Sequence, residues 1–291
     1  MDKPSFAVVG CGKVGSTLAG ILAGKGWRVA GLASATKDSA RNAARIAGAE
    51  RYGTDAKELV AGADVVFITT PDDAIARVAE QLAGQGAFAA GAVVLHCSGS
   101  LPSEIMSPAR DAGAAIGSAH PLQSVARIYE KENPIAGAYV AVEGDPKAVE
   151  TGRAVAAALS ANFAEIRAEA KTLYHAAAVV ASNYLVTLLS MSTRFNELAG
   201  MSQADSIKAL MPLIQGTLNN IQRQGIPDAL TGPVARGDAS TVRSHVAEIG
   251  EKAPDFLTLY QVLGRHTVDL ARAKGGIDED GVKRLEAALE G

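Results

Sequence analysis

The sequence has few of the residues that mark several protein classes. Its 291 residues include two cysteines, one tryptophan, six phenylalanines and six tyrosines, and its formal net charge is −3. Two thiols are too few for a disulfide scaffold, and a chain with 48% hydrophobic residues and so small a net charge is unlike disordered segments. We therefore expect a folded protein with reduced thiols.

Basic tracts and long apolar runs are also missing. The pI is near 6.0, and no stripe of Lys and Arg is interleaved with aromatic residues, which argues against nucleic-acid binding. The longest apolar run, 176–191, is interrupted by three polar residues and is shorter than the roughly 20 residues of a membrane span, so it is typical of a buried helix. No signal peptide precedes the first apolar run. We expect a cytoplasmic protein with no nucleic-acid or membrane partner.

What is present is an alternation of strand and helix patterns. At about 150 residues per domain, the length predicts two domains. In the first part, short β-branched runs alternate with helical spacing, which predicts an α/β fold with a doubly wound, mostly parallel Rossmann-type sheet. Beyond residue 168 only helical patterns remain. We place a dinucleotide-binding Rossmann domain at 1–168 and an all-helical substrate and dimerisation domain at 169–291.

A glycine-rich segment, Gly10-Cys11-Gly12-Lys13-Val14-Gly15, leaves the first predicted strand and opens the first predicted helix. In this context the first glycine permits a tight turn, the second lets the backbone approach a pyrophosphate, and the third lets the helix pack close to the strand. Free N–H groups at the helix start would face the phosphates. The segment therefore predicts a dinucleotide site; the alternative is a structural glycine turn.

The end of the second predicted strand favours NADP over NAD. An acidic residue about 20 positions past the glycines would bind the ribose of NAD, but this region reads Leu32-Ala33-Ser34-Ala35-Thr36-Lys37. Ser34 as a donor and Lys37 or Arg41 as a cation would suit the 2′-phosphate of NADP. The alternative is that Lys37 and Arg41 form the solvated face of a helix.

Two further strand ends are expected to line the same crevice, because ligands of open α/β sheets bind beyond the carboxyl ends of the strands. These ends contribute Thr70 and Pro71 after one strand and Ser98 after the next. We predict that all three contact the cofactor. Asp72 or Asp73 could instead simply cap the following helix.

Hydride transfer also needs a group that supplies or removes a proton, for which His and Lys are suited. His120 follows a predicted strand on the expected ligand side; the alternative is a loop histidine bonded to backbone. Lys171 and His175 lie four residues apart on one helix, with Asn183 two turns further along. Such residues are costly to bury without partners, so they predict a catalytic stripe. Otherwise, Lys171 lies at an exposed helix start and Asn183 bonds a neighbouring helix in a dimer.

Arg236 and the histidines bear on two further kinds of site, one for a carboxylate and one for a metal. Arg236 suits a planar carboxylate, although it could instead pair with a nearby acid while Asp238 caps the helix that begins close to Ser240. The five histidines are scattered without metal-ligand spacing, so no metal site is expected.

Taken together, these residues resemble a known superfamily, which includes the β-hydroxyacid dehydrogenases, prephenate dehydrogenases and pyrroline-5-carboxylate reductases. More narrowly, three segments look like a group of bacterial NADP oxidoreductases whose helical half is a domain of unknown function: His120-Pro121-Leu122-Gln123, Tyr174-His175-Ala176-Ala177-Ala178 and Thr231-Gly232-Pro233-Val234-Ala235-Arg236-Gly237-Asp238. The resemblance covers the whole chain and implies a homodimer formed through the helical domain.

This chain departs from the better-known relatives at the site. β-Hydroxyacid dehydrogenases place a catalytic Lys four residues before an Asn, whereas here His175 follows Lys171 at that distance, and their substrate-binding Ser-Gly-Gly is absent. The His120-Pro121 pair is closer to prephenate dehydrogenases. We predict an NADP-dependent oxidoreductase acting on a small anionic carbonyl, hydroxyl or imine compound in a cleft between the domains. The alternative is an NADP-binding sensor or regulatory protein without catalysis.

Overall fold

The computed structural model describes residues 3–126, 128 and 132–291. The chain forms two compact units, Met1–Ser182 and Asn183–Gly291. This division falls inside the long helical stretch that begins at Lys171, whereas the predicted domain boundary at 168/169 precedes it. The sequence pattern also predicts a loop over 123–137, part of which lies outside the described residues.

The first unit is built on an eight-stranded sheet. Its strands are β1 (Ser5–Val9), β2 (Arg28–Ala33), β3 (Tyr52–Gly53), β4 (Val65–Ile68), β5 (Val93–His96), β6 (Ala115–Leu122), β7 (Tyr139–Gly144) and β8 (Asn162–Glu165). The order is β3-β2-β1-β4-β5-β6-β7-β8, and every neighbouring pair is parallel except β6 with β7. The predicted α/β class with a doubly wound, mostly parallel sheet is confirmed.

The central strands are buried on both faces, which is why they read as continuous apolar runs. Every residue of β1, β4 and β5 is buried. Phe6 and Val8 belong to one hydrophobic core, and the alternate residues Ala7 and Val9 belong to a second core. The sheet is therefore covered by helices on both sides.

Seven helices accompany this sheet: α1 (Lys13–Gly24), α2 (Lys37–Ala47), α3 (Ala56–Val60), α4 (Asp72–Gly84), α5 (Ser107–Asp111), α6 (Pro146–Ala158) and α7 (Lys171–Val179). Local sequence fixes several ends. Thr36 caps α2 by accepting a hydrogen bond from the Ser39 N–H, and Gly48 ends that helix with φ of 63°. Pro146 starts α6, where its missing N–H costs no helical bond.

The second unit consists of α8 (Leu185–Leu198), α9 (Gln203–Gln224), α10 (Ala239–Lys252), α11 (Leu257–Lys274) and α12 (Glu279–Glu290). Residues 183–291 are all described and contain no strand, so the predicted change to an all-helical chain is confirmed. Its core includes Val242, Val246 and Val268 from α10 and α11, packed against Leu285 and Leu289 of α12.

The prediction that 176–191 is a buried helix is wrong for the single chain. Val180 is 58% exposed and Val186 is 68% exposed. The helix runs from Ala168 to Leu198 and extends beyond the apolar run at both ends. By length and composition it could cross a membrane. One such helix is weak evidence for a span. Its apolar residues are exposed because nothing in one copy of the described chain covers them.

Candidate active site

The turn between β1 and α1 has the close packing that the glycine pattern predicts. Gly10 has a φ of +108°, and a Cβ there would lie 2.6 Å from the Thr70 backbone nitrogen. A Cβ on Gly15 would lie 2.2 Å from the Gly10 carbonyl oxygen, whereas a Cβ on Gly12 would meet nothing within 4 Å. Gly10 and Gly15 are therefore required by packing, and Gly12 leaves open space beside the helix start.

The start of α1 suits an anion. Gly12 occupies the cap position without a side-chain bond, and the first turn contains no acidic residue. Lys13 is exposed, and the nearby Thr70 Oγ1 is buried without a partner among the described residues. Uncapped N–H groups, the open face at Gly12 and an unused hydroxyl together fit the pyrophosphate of a dinucleotide.

Cys11 and Val14 shape this turn from inside. The Cys11 thiol donates to the Ala33 carbonyl at 3.3 Å, and burial raises its pKa to about 12, so it remains a neutral thiol. Val14 packs against the apolar core. Any contribution of these two residues to a cofactor would come from their backbone.

The predicted 2′-phosphate residues lie at the end of β2 and on the first turns of α2. Ser34 is half-buried, and Lys37 is exposed without an ion pair among the described residues. Arg41 Nη1 lies 3.0 Å from Asp38 Oδ1, and both side chains are largely exposed. A phosphate here would meet two cations, one of which already faces a carboxylate.

Asp72 ties two strand ends together. Its Oδ2 accepts hydrogen bonds from Ser98 Oγ at 2.8 Å and from Ser100 Oγ at 3.0 Å. The alternative that Asp72 or Asp73 caps α4 is wrong, because Pro71 is the cap residue and no side chain bonds the helix start. The Ser98 hydroxyl proton is therefore already used, and α4 is anchored to the loop after β5.

His120 lies within β6, not in a loop after it. β5 pairs with β6 only as far as Ser118, but β6 continues to Leu122 by pairing antiparallel with β7. His120 Nδ1 lies 2.9 Å from the Tyr174 hydroxyl oxygen, and the rings meet edge to face. Among the described residues, His120 therefore bonds a side chain, and not the backbone as the alternative interpretation predicts.

His175 and Gly99 complete what we call the imidazole cluster: Gly99, His120, Tyr174 and His175. The ring centroids of His120 and His175 are 6.3 Å apart. A Cβ on Gly99 would lie 2.7 Å from His175 Cδ2 and 2.9 Å from both Cε1 and Nε2 of His120. Any larger residue at 99 would displace the two imidazoles.

Lys171 anchors the start of α7 to the sheet. Its side chain is 1% exposed, its Nζ donates to the Ser98 carbonyl at 2.9 Å and to the Ser118 hydroxyl, and it lies 3.8 Å from Glu143 Oε1. Glu143 also accepts bonds from the N–H and hydroxyl of Ser103, both at 2.8 Å. The alternative that Lys171 lies at an exposed helix start is wrong, because β6 and β7 enclose it.

The protonation states follow from burial. Burial and the nearby Lys171 charge lower the pKa of His120 to about 4, and burial raises the pKa of Tyr174 to about 12. Burial lowers the pKa of Lys171 to about 8, although Glu143 opposes the shift. Near neutral pH the cluster therefore holds a neutral imidazole, an intact phenol and, beside them, a predominantly charged amine.

Asn183 does not join this cluster. It is exposed and lies in a π-helical turn, Val180–Tyr184, which changes the rotation of the helix beyond α7. Conversely, Tyr174 and Glu143 contact the candidate site residues but were not predicted from the sequence. Each carried a signal: a phenol beside His175 needs a hydrogen-bond partner if buried, and an acid closing the apolar strand β7 needs a donor or a cation.

In the second unit, Asp238 caps α10 by accepting a hydrogen bond from the Thr241 N–H at 3.1 Å, as the alternative interpretation predicts. Arg236 lines a cavity of about 390 Å³ together with Arg284, and no ion pair of Arg236 is found in the described part of the chain. No group of three His, Cys, Asp or Glu residues that could hold a metal is present among the described residues.

Comparison with known proteins places both parts of the chain. Residues 2–121 match a Rossmann-like domain, and residues 138–267 match a domain of unknown function, DUF2520. No curated protein matches the sequence significantly.

Solved structures have the same fold over nearly the whole chain. A protein of Thermotoga maritima is 28% identical with a TM-score of 0.72, covering 93% of this chain and 99% of its own. A "putative NADP oxidoreductase" of Bacteroides fragilis is 22% identical with a TM-score of 0.73, covering 92% and 99%. Pyrroline carboxylate reductase of Plasmodium falciparum with NADP bound is 12% identical with a TM-score of 0.57, covering 99% of each.

These likenesses agree with the resemblance read from the sequence. At such identities the solved structures establish the fold alone. The Rossmann-like match spans β1 to β5, and the DUF2520 match runs from β7 into α11.

Proposed function

We propose that this protein is an NADP-dependent oxidoreductase that transfers a hydride between NADP(H) and a small anionic carbonyl, hydroxyl or imine compound. The observation that carries the proposal is a continuous set of contacts from the glycine turn to the imidazole cluster. Gly10 packs on Thr70, Asp72 binds the hydroxyl of Ser98, and Gly99 lies against His120. The predicted dinucleotide site and the predicted proton-handling groups are thus connected through residues at the carboxyl ends of the strands.

The residues divide by role. Gly10 to Gly15 would hold the pyrophosphate, Thr70, Pro71 and Ser98 would line the nicotinamide end, and the bound nicotinamide would supply or accept the hydride. His120 and His175 would face the substrate. Lys171 has its hydrogen bonds to Ser98 and Ser118, so we assign it to holding the loop and lowering the pKa of His120.

The choice of NADP over NAD is tested by titration. We expect NADPH to bind at least tenfold more tightly than NADH, and Arg41→Ala to remove most of that difference by deleting a charge-assisted bond to the 2′-phosphate. Asp38→Asn should tighten NADPH, because it removes the carboxylate that faces Arg41. Equal affinities in wild type, unchanged by Arg41→Ala, would show that the 2′-phosphate is not read here.

The activity is tested by screening NADPH oxidation against small keto acids, aldehydes and imines, with a parallel screen for NADP reduction by hydroxy acids. For a substrate so found, His175→Ala and Lys171→Ala should lower kcat while leaving NADPH affinity nearly unchanged, and His245→Ala in the second unit serves as the control. Tight NADPH binding with no turnover across both screens would favour the sensor instead. Asn183→Ala tests the remaining member of the stripe.

We also propose a homodimer formed through the helical domain, in the cytoplasm. The support is exposed apolar surface on α8 and α9, where Val186 is 68%, Leu213 66% and Met211 52% exposed. The buried Lys171 at the start of the long helix supports packing on protein over insertion in a bilayer. Light scattering should give twice the 29.8 kDa chain mass, and a monomer at micromolar concentration would contradict the dimer.

A further inference from the structure

The Tyr174 hydroxyl has a single hydrogen-bond partner among the described residues, the Nδ1 atom of His120 at 2.9 Å. In a neutral imidazole one ring nitrogen carries a proton and the other accepts one. A phenol is a stronger acid than the N–H of a neutral imidazole, and an imidazole nitrogen is a better acceptor than a phenol oxygen. The phenol therefore donates to Nδ1, and the imidazole proton lies on Nε2.

Gly99 lies against the opposite side of the ring, and Nε2 is not among the fully buried polar atoms of the described residues that lack a partner. Nε2 and Cε1 of His120 are the atoms that a Cβ on Gly99 would approach to 2.9 Å. Gly99 does not have a positive φ, so a side chain at this position is excluded by contact with the imidazoles and not by its backbone conformation. No hydrogen bond to Nε2 from a described residue is present.

We propose that Tyr174 fixes His120 as the Nε2–H tautomer, and that this N–H binds the oxygen of the substrate, so that the group reduced is a carbonyl and not a protonated imine. Tyr174 thereby acts as a positioning residue for His120. The tautomer is inferred from the hydrogen bond between Tyr174 and His120, whereas the substrate class rests on the proposed function.

The preference for a carbonyl follows from hydrogen-bond polarity. A carbonyl oxygen, or the alkoxide formed from it, accepts a bond from Nε2–H, and the interaction strengthens as negative charge develops on the oxygen. A protonated imine presents an N–H donor to the same position. Two donors facing each other leave both without acceptors, which costs about 1–3 kcal/mol when buried.

The proton transfer balances without a further reagent. Hydride adds to the carbonyl carbon, the π electron pair moves to the oxygen, and the oxygen takes the proton from Nε2. Nδ1 then takes the phenol proton of Tyr174, which leaves His120 neutral and Tyr174 as a phenolate. Water returns a proton to the half-buried phenolate, and proton exchange with water then restores the Nε2–H form of His120 before the next turnover. His120 passes the proton on, and no imidazolium is needed.

The tautomer is tested by NMR of the full-length protein labelled with ¹⁵N at its five histidines, with His120 assigned by loss of its signals in His120→Gln. Long-range proton–nitrogen spectra distinguish the two tautomers and the imidazolium. We expect wild-type His120 to be entirely Nε2–H at pH 7. Tyr174→Phe removes one oxygen atom and should make the Nδ1–H form measurable.

A matched control uses another His–Tyr hydrogen bond of the described residues, between His245 and Tyr260. Tyr260→Phe should change the His245 signals and leave those of His120 as in wild type. The tautomer assignment is overturned if wild-type His120 is Nδ1–H or imidazolium at pH 7. Tyr174 is not its cause if Tyr174→Phe leaves a single Nε2–H form.

The substrate class is tested with matched pairs of small ketones and cyclic imines under NADPH. Reduction of ketones, with Tyr174→Phe lowering their kcat by about tenfold or more while KM changes little, supports the inference. Reduction of imines but not ketones overturns it and leaves the oxidoreductase function standing. No reduction of either, in a protein that binds NADPH, counts against the proposed function while the NMR result is unaffected.

Discussion

Among the described residues, two histidine–tyrosine pairs have almost the same geometry in different surroundings. In the sheet unit, His120 Nδ1 and the Tyr174 hydroxyl oxygen are 2.9 Å apart with ring planes at 89°. In the helical unit, His245 Nδ1 and the Tyr260 hydroxyl oxygen are 2.8 Å apart with ring planes at 84°. The hydrogen bond alone therefore does not distinguish a candidate active site.

Each pair also has a lysine–glutamate ion pair beside it. Lys171 and Glu143 are 1% and 3% exposed, whereas Lys252 and Glu248, which line an open cavity with His245 and Tyr260, are 50% and 61% exposed. Burial distinguishes the first set: it lowers the pKa of His120 to about 4 and leaves Lys171 only 1% exposed. The same four residue types at the surface interact mainly with solvent.

The largest difference is expected in stability. Lys171→Met leaves the buried Glu143 carboxylate without its cation, so the free energy of unfolding should fall by about 3–5 kcal/mol. Lys252→Met should change it little, because water replaces the lost partner. Urea unfolding followed by circular dichroism measures both variants.

A second variant separates charge from packing. Lys171→Met combined with Glu143→Gln keeps an amide that can bond Ser103 and removes the unpaired charge, so it should recover much of the loss. A Lys171→Met effect no larger than that of Lys252→Met would mean that burial does not separate the two ion pairs.

The next effect is on activity. Gly99→Ala places a methyl group 2.7–2.9 Å from the two imidazoles, and a displacement of about 1 Å in a catalytic group can cost roughly 100-fold in rate. We expect such a loss of kcat, with shifted His120 and His175 NMR signals. Gly250→Ala on α10 is the control, since its Cβ would meet Leu257 Cδ2 at an ordinary 3.7 Å. Unchanged imidazole signals in Gly99→Ala would refute this tight packing.

Local patterns were sufficient to predict the elements of the fold. Buried strands such as β4 read as apolar runs. Helical spacing predicts a helix over 203–224, and α9 has these bounds because Ser202 caps its start and Gly225 follows its end. The sequence pattern predicts a short strand over 114–118, but β6 extends to Leu122 because its last residues pair with β7. The exposure of 176–191 was also missed, because periodicity shows that a face is apolar but not what covers it.

The site could be predicted in residue type but not in arrangement. His120 and His175 were found because isolated polar residues on apolar elements need partners. Lys171 contacts the Ser98 carbonyl across 73 positions of sequence, and Tyr174 reaches His120 across 54. Such pairings depend on how α7 docks on the sheet, which no local pattern encodes.

The smallest expected effect is a difference in acid sensitivity. Burial lowers the pKa of both His96 and His120 to about 4, whereas an unfolded histidine titrates near pH 6.5. Between these values the unfolded chain binds more protons than the folded one, so stability rises with pH across this window. The contribution is complete above about pH 6.5 and is lost as the pH falls to about 4.

His120→Gln should therefore flatten the dependence of unfolding free energy on pH between about 4.5 and 6.5, by on the order of 1–2 kcal/mol, because His120 is only half-buried and solvent screens part of the shift. His96 remains and keeps part of the slope. His245→Gln removes an exposed imidazole with the same type of tyrosine bond, and we expect the slope to persist. Equal flattening by the two variants would show that the tyrosine bond, and not burial, sets the acid response, and the contrast between the two pairs would then fail.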